Sequence, residues 1–281
     1  MSIPLYLAMT AAEFSTAPAL PPRIAWMAMH FSVSGPGLSG RPHRLPPGSL
    51  VLLDDLTPWC GHSLESVCQE TIDVLLRTGA AGLLLDFERP PTEETLRLAN
   101  CLTQCCREAG CPIGMPPGYL DHGSEAAVFL PPLPCHRPPE QVLEPFQGRE
   151  IWLEAATCGC RVALGPDGPS LTLENPQLLE AESESMPTFT DPHLHCRYYS
   201  RLNEAGVELA LYDTWEMLTR KLEHCQAGEN TDFCVFSPYL SLLERGLLQK
   251  NHFATDPLVL CPRRKASTWA PYFRAFFPLQ M

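Results

Sequence analysis

The stretch Ala81-Gly82-Leu83-Leu84-Leu85-Asp86-Phe87-Glu88-Arg89-Pro90 decides the fold. Gly82 to Phe87 is almost continuously apolar and lacks the apolar–polar alternation of a strand with one wet face. It therefore reads as a strand buried on both sides, the kind a parallel sheet wrapped by helices requires. Side chains alternate along a strand, so Leu84, Asp86 and Glu88 point one way and Leu83, Leu85 and Phe87 the other. Two carboxylates thus share a face. Buried acids are costly unless paired or used, and these two stand at the carboxyl end of the strand, just before a helix signal.

Working outward, similar short apolar runs recur along the chain: Leu5 to Met9, Ile24 to Phe31, Leu50 to Leu53, Pro112 to Met115, Ala127 to Leu130, Ile151 to Ala155, Val207 to Tyr212 and Phe233 to Phe236. Between them lie helix signals. Pro91-Thr92-Glu93-Glu94 supplies a cap with acids in the first turn, Leu96, Ala99, Leu102 and Cys106 follow at near-helical spacing, and Gly110 is the stop. Further helices are predicted from about Leu64 to Arg77 before Gly79, from Pro192 to Glu204 before Gly206, and from about Trp215 to Ala227 before Gly228. Strand, helix, glycine, strand is the repeated unit, and it predicts an α/β fold: a single (β/α)8 TIM-type barrel over residues 1–250. In this count Val207 to Tyr212 is the last barrel strand. Gly165-Pro166-Asp167-Gly168-Pro169 between two apolar triplets signals a β-hairpin insertion near 161–173. The aromatic-rich segment 251–281 is expected to form a C-terminal extension packed on the barrel.

Composition narrows the function classes. The chain of 281 residues is 45% hydrophobic and 19% charged, enough to bury a core and unlike a disordered chain. Its formal net charge of -12 repels phosphate backbones and anionic lipid, so neither nucleic acid nor membrane is an expected partner. A carbohydrate or other small neutral ligand is compatible with that field. The 13 cysteines are odd in number, include the adjacent pair Cys105 and Cys106, and suit no obvious disulfide framework, so they read as reduced small hydrophobes. The segment Ile3 to Met9 has no basic residue before it, unlike a signal peptide, and with the reduced cysteines this gives a cytoplasmic expectation. Cys158-Gly-Cys160 is too closely spaced for a zinc half-site, and no second pair stands at useful spacing. No metal and no cofactor are assigned.

The segment Ala81 to Pro90 resembles the Asp-Gly-x-Asp-x-Asp-x-Glu signature, followed by an aromatic and Pro, of chitinases and related enzymes of glycoside hydrolase family 18. Gly82, Asp86, Phe87, Glu88 and Pro90 match; Ala81 and Leu84 stand where the signature has its two earlier aspartates. With Leu5 to Met9 as strand one, Gly82 to Phe87 falls on strand four, where the family carries the motif. The resemblance implies that Glu88 is the general acid and that Asp86 orients the substrate's N-acetyl group, whose oxygen attacks the anomeric carbon in place of an enzyme nucleophile. Activity on N-acetylated β-linked sugars is the implied function. A family tyrosine in a Met-x-Tyr-Asp setting has its nearest counterpart in Ala210-Leu211-Tyr212-Asp213. The alternatives are a carbohydrate-binding or interaction barrel that has lost hydrolysis, which Leu84 favours, and an unrelated barrel hydrolase.

Other candidates are weighed beside bland readings. Trp215 is either a platform under a sugar ring, as family members use a tryptophan of the final strand, or a core residue of the helix's first turn. Tyr212 and Asp213 end an apolar strand and are substrate-binding candidates. Asp54, with Asp55 beside it, and Glu154 are candidates for hydrogen bonds to hydroxyls at the barrel mouth, or else caps and loop anchors. His193-Leu194-His195 has the spacing used by metal-dependent hydrolases on a strand, but behind Asp191-Pro192 it reads as the start of a surface helix.

Overall fold

The computed structural model describes residues 5–16, 23–121, 123–165, 168–203, 206–227 and 233–237. The expected extension 251–281 lies outside them, as does Gly228. In chain order the elements are β1 (Leu5–Met9), α1 (Ala11–Thr16), β2 (Ile24–Phe31), β3 (Leu38–Ser39), β4 (Leu50–Asp54), α2 (Leu64–Thr78), β5 (Gly82–Asp86), α3 (Glu93–Glu108), β6 (Ile113–Met115), β7 (Ala127–Leu130), α4 (Pro139–Leu143), β8 (Ile151–Glu154), β9 (Gly159–Gly165), β10 (Gly168–Leu173), α5 (Pro176–Ser183), β11 (Phe189–Asp191), β12 (Cys196–Asn203), β13 (Gly206–Tyr212), α6 (Trp215–Ala227) and β14 (Phe233–Ser237).

Strands β1, β14, β8, β7, β6, β5, β4 and β2 lie side by side in that order, and β1 also pairs with β2, which closes the ring. Neighbouring ring strands pair parallel, from Leu7↔Ile24 between β1 and β2 to Leu5↔Val235 between β1 and β14. This is an α/β fold of TIM-barrel type, with β5 as its fourth strand. The residues of β4 and β5 are buried on both faces, as their unbroken apolar runs require.

Helices α2 and α3 start and stop where local chemistry dictates. The Ser63 hydroxyl accepts the Ser66 amide at the start of α2, and Gly79 ends it in the left-handed conformation, with φ of 66°, donating its amide to the Leu75 carbonyl. At α3, Thr92 and Thr95 cap each other reciprocally, so Thr95 fills the position a Glu or Gln takes in the usual capping box. The buried face of α3 is Thr95, Leu98, Ala99, Leu102 and Cys106, with Leu96 only partly covered. That face packs in one cluster with Leu83, Leu85, Val51 and Leu53. These strand residues therefore face the helices, and by alternation Leu52, Asp54, Leu84 and Asp86 face into the ring. The ring interior is tightly filled: a β-carbon on Gly114 of β6 would stand 2.3 Å from Cε3 of Trp152.

The structure corrects two expectations. Val207 to Tyr212 is not a barrel strand; it forms β13 in a second, five-stranded antiparallel sheet of order β10-β9-β13-β12-β11. The last ring strand is β14, the ninth apolar run. The physical reason is patterning, since Glu208 puts a charge inside β13, whereas the apolar run of β14 is unbroken. Likewise the helix predicted from Pro192 to Glu204 does not form. Asp191 accepts the amides of His193 and Leu194 as a cap would, but the chain then turns through His195, at φ of 49°, into β12. Long-range pairing along β13, from Arg197↔Tyr212 to Asn203↔Gly206, prevails over local helix signals. The pair His193 and His195 thus stands in a turn.

The chain divides into two compact units, one holding the ring strands with α1, α2 and α3, the other the antiparallel sheet with α4, α5 and α6. In the second unit α5 lays Leu179 against Tyr199, Ala210 and Tyr212 on one face of the sheet, while Cys135, Cys160, Cys196 and Leu211 cluster on the other. Arg161 of β9 meets Glu208 at 2.9 Å and Glu182 at 2.7 Å, and Arg201 meets Glu208 at 2.7 Å.

Candidate active site

In the ring unit, β4 and β5 run in register from Leu50↔Gly82 to Asp54↔Asp86. Asp54 and Asp86 are consequently neighbours at the carboxyl ends of adjacent parallel strands, both buried and both on the interior face. Active sites of such barrels are built at that end. The strand proper stops at Asp86, yet Phe87 still packs against Phe31 and Tyr119, with ring centroids 5.9 and 5.2 Å away. Glu88 follows Phe87 and is half-buried.

The turn that carries Glu88 is fixed by a residue sequence reading left in the background. Buried Asp55 accepts the backbone amide of Glu88 at 2.8 Å through Oδ1 and that of Arg89 at 2.9 Å through Oδ2. The Arg89 guanidinium returns the contact, donating to the carbonyls of Asp55 and Leu56 at 2.9 and 3.1 Å. Tyr119 donates its hydroxyl to the Arg89 carbonyl at 3.0 Å, and burial raises the Tyr119 phenol to a pKa of about 12. The only sequence signal for this brace was two consecutive aspartates after an apolar strand; the partner lies more than thirty residues away along the chain. Because its carboxylate is occupied by amides, Asp55 acts by holding position, while Asp54 is the member of the pair that faces the ring interior.

The remaining candidates belong to the second unit. Glu154, the last residue of β8, is buried. Tyr212 is buried in β13, with its hydroxyl 2.8 Å from the Ser183 hydroxyl and its ring 6.3 Å from that of Tyr199. Asp213 follows and is fully buried against Lys221, whose Nζ lies 2.8 and 2.9 Å from the two carboxylate oxygens. The Cys158 amide donates to the same carboxylate at 3.1 Å, and the Asp213 amide donates to the Cys158 carbonyl at 2.8 Å. Burial opposes the charge on Lys221, but the Asp213 carboxylate outweighs it and holds the ammonium above its ordinary pKa. Sequence reading did not find Lys221, which stands two turns along α6. Trp215 opens α6 and is partly buried.

No family model matches the chain and no curated protein matches it. Solved structures do resemble it. The spore cortex-lytic enzyme SleL of Bacillus megaterium QM B1551 superposes with a TM-score of 0.52 at 11% identity, over 90% of this chain and 74% of that one. A class V chitinase from Nicotiana tobaccum, solved as a mutant in complex with NAG4, superposes with a TM-score of 0.50 at 10% identity, over 84% of this chain and 93% of that one. Such identities establish likeness of fold: the chain has a chitinase-like TIM-barrel fold. Among the described residues no helix is long and apolar enough to cross a membrane.

Proposed function

We propose that the protein is a glycoside hydrolase acting on N-acetylated β-linked sugars, with Glu88 as general acid and Asp86 as the residue that orients the acetamide. The observation that carries this reading is the placement of Glu88 two positions beyond Asp86, at the carboxyl end of the fourth ring strand, in a turn braced by Asp55. In this scheme Glu88 protonates the glycosidic oxygen as the acetamide oxygen attacks the anomeric carbon, and then accepts a proton from the incoming water. The fold neighbours support a carbohydrate ligand, since one of them is bound to a NAG oligomer. Asp54, in register beside Asp86 at the carboxyl end of the neighbouring strand, is proposed as a substrate-binding residue, with the protein in the cytoplasm and no cofactor.

A second reading is a carbohydrate-binding barrel without hydrolysis. Fully buried Leu84, on the face shared with Asp86, favours it, because an apolar side chain stands where the resembled signature carries a carboxylate. One assay separates the two. A chromogenic N-acetylglucosamine oligomer is offered to the wild type and to Glu88→Gln. Turnover by the wild type that is lost in the variant supports the first reading. Binding without turnover in both supports the second, and equal turnover in both removes Glu88 from the mechanism.

A further inference from the structure

Packing of α2 against α3 brings the Cys68 thiol to the pair Cys101 and Cys105. Cys101 and Cys105 stand one turn apart on α3, Cys68 projects from α2, and all three sulfur atoms lie within 4.8 Å of one another. Cys68 is buried, whereas Cys101 and Cys105 are partly exposed, which leaves solution access to the cluster. Sulfurs bound to one ion at about 2.3 Å sit roughly 4 Å from each other, so small side-chain rotations convert the observed spacing into coordination. A cation bound there would take the place of the three thiol protons.

We propose that Cys68, Cys101 and Cys105 bind one thiophilic d10 cation, Zn2+ or Cu+, in an all-sulfur site that ties α2 to α3. Thiolate ligands select these ions over Mg2+, Ca2+ or Mn2+. On binding, three S–H bonds break, three sulfur–metal bonds form, three protons leave to solvent and no oxidation state changes. Zn2+ takes a water as fourth ligand, while Cu+ is satisfied by three sulfurs. The site shares no residue with the Glu88 turn and does not depend on the glycosidase reading.

The test uses the full chain, purified reduced and metal-free under anaerobic conditions. It is titrated in one arm with Zn2+ and in another with chelator-buffered Cu+, and bound metal is counted by native mass spectrometry. One equivalent held by the wild type and by the controls Cys60→Ser and Cys111→Ser, and lost in Cys101→Ser/Cys105→Ser, is the expected result. A rise in the thermal midpoint on metal addition should accompany binding in the wild type and vanish in the pair variant. Both substituted positions are partly exposed, and circular dichroism checks that the variant is folded; Cys101→Ala is the substitute should it not be. The arm retaining metal against the stronger competitor identifies the ion. A folded wild type that retains neither metal, or a variant that retains it as the wild type does, overturns the proposal.

Discussion

The carboxylate of Asp55 accepts the consecutive amides of Glu88 and Arg89, one on each oxygen, at 2.8 and 2.9 Å. An aspartate at the end of one ring strand thereby dictates the backbone path after the next.

Replacing Asp55 by Ala strips both amides of their acceptor in a buried place. The expected loss is about 2–4 kcal/mol, from two unmet donors at about 1–2 kcal/mol each, read as a lower urea midpoint at unchanged slope. Asp55→Asn keeps one acceptor oxygen and should fall between. If Glu88 is the acid, turnover in Asp55→Asn should drop with KM little changed, because the turn and not the sugar contacts is disturbed.

Lys221 and Asp213 are both fully buried, so breaking the pair from one side strands a charge. Lys221→Met is expected to lose about 3–5 kcal/mol, while Asp213→Leu/Lys221→Met recovers most of it. Chemical denaturation of the wild type, the single variants Lys221→Met and Asp213→Leu, and the double variant forms the cycle that checks this. A double variant no better than the single one contradicts the account.

The buried thiols make the protein sensitive to alkali. Burial raises Cys106 and Cys225 from the ordinary 9.0 to about 12. A group raised on folding contributes stability that is whole below its unfolded pKa and is lost as pH climbs through the folded one. Stability should hold to about pH 9 and fall between pH 9 and 12. Cys106→Ala should start lower, from the lost packing, but decline less steeply, as thermal melts across that range would show.

Gly114 has no room for a side chain beside Trp152. Gly114→Ala should cost about 1–3 kcal/mol through overpacking of the ring interior, and Gly114→Ala/Trp152→Phe should be more stable than the sum of the two single changes predicts.

What the sequence revealed divides by range. Strand β5 and helices α2 and α3 were legible because their signals are local: an unbroken apolar run, a hydroxyl cap, a left-handed glycine. The segment from Pro192 to Glu204 misled for the same reason, since Asp191 and Gly206 resemble helix ends while the deciding partner, β13, comes later. The motif residues Asp86 and Glu88 were found from alternation and resemblance. The brace from Asp55, the counter-ion Lys221 and the meeting of Cys68 with Cys101 and Cys105 were not, because each depends on which elements become neighbours in space and no spacing rule encodes that.

Closure of the ring between β1 and β14 has a consequence for how the protein is made. During synthesis the first seven ring strands emerge as an open sheet, and the sticky edges of β1 and β8 stay bare while the whole antiparallel excursion from β9 to β13 is translated. Only when Phe233 to Ser237 leaves the ribosome are both edges covered at once. Nascent chains stalled before that point should be the species that chaperones hold and that aggregates, which makes β14 the timekeeper of the fold.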